Sequence, residues 1–105
     1  NNGLFHILCG YNKNDFNELS VICECKGLPL DIDKETAFWL EDLAFTSYLS
    51  LEEIQNFDWD KEVYYFEEDC KHSEIACEFY TEIIPYMRSV DTNCQNVRIV
   101  FGLSL

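Results

Sequence analysis

The chain has 105 residues, 48% of them apolar and 15% aromatic, with twenty acids against seven bases and a net charge of −13. That length holds one core and not two, and so much Phe, Tyr and Ile excludes a disordered acidic tail. A field of this sign repels phosphates, which excludes direct binding to nucleic acid or to an anionic membrane surface.

No stretch approaches the roughly 18–20 apolar residues of a membrane span. The chain opens at Asn1 rather than Met, with room for an N-terminal segment before it, and no basic-then-apolar leader is present. Six cysteines, Cys9, Cys23, Cys25, Cys70, Cys77 and Cys94, are an even number. A chain this apolar needs no staples, so reduced thiols and a cytoplasmic setting are expected over a disulfide framework.

In chain order, "NNGLFHILCGYN" predicts a short buried helix with Asn2 as its cap and Gly10 as its stop. A strand is the alternative there. "ELSVICEC" alternates Leu19, Val21 and Cys23 against Ser20 and Glu24, which predicts a strand broken by Gly27 and Pro29. Asp33 caps a helix through "KETAFWLEDL" with Ala37, Leu40 and Leu43 inward, and "AFTSYL" is a short extended link. Ser50 and Glu53 then form a capping box, with Leu49 and Ile54 at the positions of a hydrophobic staple and Leu51, Ile54 and Phe57 at helical spacing. "KEVYYFEED" suits a strand. From Ser73, a helix puts Ile75, Ala76, Phe79, Ile83 and either Tyr86 or Met87 on one stripe, with Glu74, Glu78 and Glu82 four apart on a solvated face. Pro85 should kink or end it. "DTNCQN" is a loop and "VRIVFGL" a closing strand. The order reads as α+β: one domain over 1–105, with a few short helices packed on a small, mostly antiparallel sheet.

The stretches "LFHILCGY", "KGLPLDID", "SYLSLEEIQNFDWD" and "VRIVFGL" together resemble a family of small proteins from bacteria and their phages. Its pattern runs L-F-x-x-L-x-G, R-G-L-P, S-x-L-[ST]-L-x-E-[LI] with a following [FY]-D-W, then V-R-[IL]-V-F. The family carries no established activity, so the resemblance implies a bacterial or phage context rather than a chemistry. Similar proteins carry an additional N-terminal segment. Lys26 stands where the pattern has arginine, and the end, Gly102-Leu103-Ser104-Leu105, lacks the aromatic and acid of similar chains.

Three constellations invite a chemical reading. Asp58 and Asp60 flank Trp59 as a glycosidase pair flanks its sugar, but two carboxylates just past a helix end are better read as wet or turn-capping beside a buried Trp. Cys23, Cys25, Cys70, His72 and Cys77 are zinc-type ligands without the knuckle spacing of structural sites. His6 sits in an apolar run and His72 in an acidic one, and no nucleophile elbow, phosphate loop or zincin motif occurs. Neither an enzyme nor a cofactor is therefore expected; a ligand- or zinc-binding domain or small enzyme using Asp58 and Asp60 or the cysteines is the alternative.

The charge itself is the remaining anomaly. Between Asp31 and Glu82 lie sixteen acids and three bases, and the flanks cancel. That exceeds the roughly 2–8 units a small domain uses for solubility. It suits a partner with a basic surface, such as the nucleic-acid groove of a host enzyme. The candidate partner-binding residues are Glu41, Asp42, Glu52, Glu53, Asp58, Asp60, Glu67, Glu68, Asp69, Glu74, Glu78 and Glu82, with Trp39, Tyr64 and Tyr65 as anchors. The expected function is an anti-CRISPR-like or anti-restriction-like inhibitor of the phage type, mimicking nucleic acid. A third reading is a subunit whose strand "VRIVFGL" pairs with another chain.

Overall fold

The computed structural model describes residues 2–90 and 97–104, so the expected loop at 91–96, with Cys94, lies outside the described residues. Helix α1 (Asn2–Cys9) forms with Ile7, Leu8 and Cys9 buried, and Asn2 is its first helical residue rather than its cap. Gly10 ends it at φ +81°, a left-handed backbone that lets its N–H reach the His6 carbonyl at 2.8 Å.

The segment "ELSVICEC" forms no strand. Alternation needs a ladder partner, and here the N–H groups go instead to isolated tertiary acceptors. Ile22 N–H donates to the Ile7 carbonyl at the end of α1, at 2.7 Å. Ser20 N–H donates to His72 Nε2 at 3.0 Å, and just beyond, Lys26 N–H donates to Ser47 Oγ at 3.0 Å. The segment is a strap across the core, held at points.

Helix α2 (Lys34–Leu40) starts at Asp33, whose Oδ1 accepts the Thr36 N–H at 2.8 Å. The Thr36 N–H and hydroxyl hold that carboxyl below its ordinary range. None of its side chains is buried, so Ala37, Leu40 and Leu43 are half-buried rather than inward. The expected link "AFTSYL" is a full strand, β1 (Ala44–Ser50), antiparallel to β4 (Arg98–Leu103) with Leu49 opposite Ile99 and Ser47 opposite Phe101. Its alternation is disguised by a bulge between Ala44 and Ser47, where Phe45 takes φ +52°.

Helix α3 (Leu51–Asn56) carries both halves of the capping box: Glu53 N–H donates to Ser50 Oγ, and Ser50 N–H to Glu53 Oε1, each at 3.0 Å. Leu49 and Ile54, the staple positions, are fully buried. The aromatic run expected as one strand is a hairpin of β2 (Glu62–Tyr65) and β3 (Glu68–Lys71).

Helix α4 (His72–Ile75) leads to a π turn at Phe79–Ile83 and then α5 (Ile84–Val90). The π turn corrects the expected stripe. Ile84 N–H bonds the Phe79 carbonyl five residues back, so the core phase slips by one. Ile84 and Met87 are buried, whereas Ile83 is 38% and Tyr86 67% exposed. Pro85 falls in the first turn of α5, next to turns whose bonding has already changed, so the helix continues to Val90.

Ile7, Leu49, Leu51, Ile54, Trp59, Phe79, Ile84 and Phe101 share one core cluster. Two buried histidines tie loops to it. His6 places Nδ1 2.8 Å from the Tyr11 carbonyl and Nε2 3.2 Å from the Leu19 carbonyl. His72, fully buried, donates from Nδ1 to the Lys61 carbonyl at 2.7 Å while Nε2 accepts from Ser20. The architecture is α+β, and among the described residues the strands form two separate two-stranded antiparallel sheets rather than one. Among the described residues, no helix is long and apolar enough to cross a membrane.

Candidate partner-binding site at the hairpin

Strands β2 and β3 are joined by two residues, Phe66 at φ +47° and Glu67 at φ +68°. A tight turn with both central residues left-handed follows the strand twist, and Asn-Gly is the pair that adopts it freely. Phe and Glu carry a Cβ that disfavours this backbone by about 1–2 kcal/mol per residue. At the tip of the hairpin the Phe66 ring is 78% exposed, edge-on to Tyr65 with ring centroids 4.5 Å apart.

Strand alternation separates the two expected tyrosine anchors. Tyr64 points outward and is 60% exposed. Tyr65 points inward: a Cβ placed on Gly3 would meet its hydroxyl at 2.7 Å, so helix α1 approaches closely enough to require that glycine. Tyr65 is therefore a core brace, not an anchor. Burial pushes its phenol above the ordinary range, and Cys70 adds to that.

Glu67 sits at the tip, Glu68 and Asp69 lead down β3, and Glu74 lies in α4. Their convergence is felt at Cys70, whose thiol is pushed up by burial and then by Glu74, Glu68 and Asp69 in turn. A groove of about 290 Å³ lined by Asp15, Phe16, Glu18, Tyr64, Tyr65 and Phe66 runs along one flank.

Other expected residues lie on separate elements. Glu53 is committed to its cap and to Lys26, whose Nζ lies 2.8 and 2.9 Å from its two oxygens. Burial pushes the Glu53 carboxyl up, and the Lys26 and Ser50 hydrogen bonds more than offset it, leaving it below its ordinary range. It is thus structural rather than a free contact. Glu52 is exposed on α3; Glu41 and Asp42 follow α2 beside the exposed Trp39. Asp58 and Asp60 are exposed, and the Asp60 N–H donates to Asp58 Oδ1 at 3.2 Å, a turn that holds the pair together. Asp58, Lys61, Asn56 and Phe57 line an open groove of about 600 Å³. Trp59 is buried, its Nε1–H donating to the Ile54 carbonyl at 2.8 Å.

Glu74, Glu78 and Glu82 are exposed, but the break at Ala76 and the π turn interrupt the four-residue spacing, so they form no continuous stripe. The structure pairs Tyr64 with Asp69 on one face of the hairpin and sets Glu68 with Glu74 beside Tyr65 and Cys70 on the other, with Glu67 at the tip. It adds Phe66, which the sequence reading missed because no Asn-Gly marks the turn. The zinc-type set is not gathered. Both ring nitrogens of His72 are engaged by backbone, and among the described residues no three His, Cys, Asp or Glu side chains are placed to hold a metal.

Replacing Phe66-Glu67 by Asn-Gly is expected to stabilise the protein by about 1–2 kcal/mol through relief of the left-handed strain, read as a higher urea midpoint. An unchanged or lower midpoint would show that packing of the Phe66 ring on Tyr65 already offsets the strain. Compared with known proteins, the chain matches no family model, no curated protein and no solved structure.

Proposed function

We propose that this chain is a small acidic inhibitor, of the kind carried by phages and mobile elements, that occupies the basic groove of a host nucleic-acid enzyme in place of DNA or RNA. Its natural targets are defence nucleases of the CRISPR or restriction kind in a bacterial cytoplasm. The hairpin tip carries the reading: an exposed aromatic ring held in a strained turn and followed along the chain by the exposed Glu67, Glu68 and Asp69. Backbone strain of this sort persists where a function depends on the display. A ring among carboxylates matches a groove that stacks bases on its floor and holds lysines and arginines along its walls. The charge of −13 steers association and makes it sensitive to salt.

The test is DNA cleavage by a panel of purified CRISPR and restriction nucleases, with and without the protein. At least one enzyme is expected to be inhibited, with relief by added non-cleavable DNA and by salt. Charge reversal at Glu67→Lys, Glu68→Lys and Asp69→Lys together should raise the half-inhibitory concentration by at least about tenfold. Inhibition untouched by the reversals makes the hairpin the wrong surface, and a panel with no inhibited enzyme removes the reading.

A further inference from the structure

The end of helix α1 and the strap from Leu19 to Gly27 meet at two sulfurs. Cys9, the last residue of α1, is buried and donates its thiol to the Phe5 carbonyl at 3.3 Å. Cys25, sixteen residues on, is exposed. Its thiol donates to the Cys9 carbonyl at 3.5 Å and also interacts with the Cys9 thiol itself. Both cysteines are free thiols.

We propose that Cys9 and Cys25 form a redox modification site, closing to a disulfide when the protein meets a low-molecular-weight disulfide such as oxidised glutathione. The unequal exposure of the two sulfurs sets the order of events. Cys25, reachable from solvent, loses its proton and attacks one glutathione sulfur; a Cys25–glutathione bond forms, the glutathione S–S bond breaks, and one glutathione thiolate leaves. Cys9 then loses its proton and attacks Cys25 Sγ, forming the internal disulfide and expelling the second glutathione. Two protein thiols are oxidised, and one glutathione disulfide becomes two thiols.

Cys9 suits the resolving role and not the first attack. Burial, with the nearby Cys25 thiol, pushes its own thiol up to about 12. It is too protonated and too enclosed to meet an oxidant first, but it is already beside the sulfur it must attack. Closure also has a structural consequence. The strap has no ladder and is held at points, by Ile22 on Ile7, Ser20 on His72 and Lys26 on Ser47. A covalent link would fix it to α1 and restrict the unfolded chain as well.

The full chain is incubated with oxidised glutathione, quenched in acid and mapped without reduction. A Cys9–Cys25 link is expected, with the other cysteines still open to alkylation, and with a raised thermal midpoint that dithiothreitol reverses. Cys25→Ser, at an exposed position that leaves the core intact, should abolish both the link and the shift. Cys9→Ala should stop at a stable glutathione adduct on Cys25. If that variant does not fold, wild type and Cys25→Ser decide alone. A link from Cys25 to Cys23 or to any other cysteine overturns the proposal, as does a wild-type reaction that halts at the Cys25 adduct.

Discussion

Trp59→Ala should lower the unfolding free energy by about 3–5 kcal/mol, the cost of removing a large ring from a closed core. The indole meets Phe57, Tyr80 and Phe79 at centroid distances of 4.8, 5.6 and 6.0 Å. Its N–H also satisfies the Ile54 carbonyl near the end of α3, at 2.8 Å. Truncation leaves a void between α3 and the π turn and removes that donor together. Trp59→Phe separates the contributions, since it keeps an aromatic ring and gives up the hydrogen bond, which alone is worth about 1 kcal/mol. Urea denaturation followed by far-ultraviolet circular dichroism measures both, independently of the lost fluorophore. A loss below about 1 kcal/mol for the alanine variant would mean that the neighbouring rings collapse into the space and that Trp59 is no keystone.

His72→Leu should cost about 1–3 kcal/mol although it puts an apolar side chain into a buried position. The imidazole is fully buried and links two backbone groups that are distant in sequence, the Ser20 N–H and the Lys61 carbonyl. The Lys61 carbonyl keeps a second donor, the His72 N–H at 3.1 Å. The penalty therefore falls mainly on Ser20, whose N–H loses the acceptor it has in the folded protein. Amide exchange at Ser20 should speed up more than exchange in α3, as the strap lifts locally. Full stability with Ser20 still protected would mean that another acceptor replaces the ring, and that the histidine only fills space.

What the sequence disclosed and what it hid divide by the range of the interactions. Gly10, Asp33 and the Ser50–Glu53 box act within a few residues of themselves, and each caps or stops its helix as read. Strand β1 was hidden because its partner lies some fifty residues on and its alternation is broken at Phe45. The strap erred the other way, with a good alternating pattern and no partner to pair with. At the hairpin, the turn lacks the residues that normally announce it, so Phe66 escaped notice and Tyr64 and Tyr65 seemed equivalent. Only the facing helix α1 tells them apart. The acidic set was legible as composition but not as a surface: Glu53 serves a cap and Lys26, while Glu74, from the next helix, joins Glu68 and Asp69 around Cys70.

Helix interiors ordinarily resist gaps, because deleting one residue rotates everything beyond it by about 100°. The turn from Phe79 to Ile83 is an exception, since it already holds one residue more than an α-helix needs. Deleting Thr81, which is exposed, would shorten the step from Phe79 to Ile84 from five residues to four, and four also keeps two side chains on one face. Phe79 and Ile84 would stay on the core, and so would Met87. A chain related to this one by descent can therefore differ by a single-residue gap in the middle of this helix, with both flanks in register.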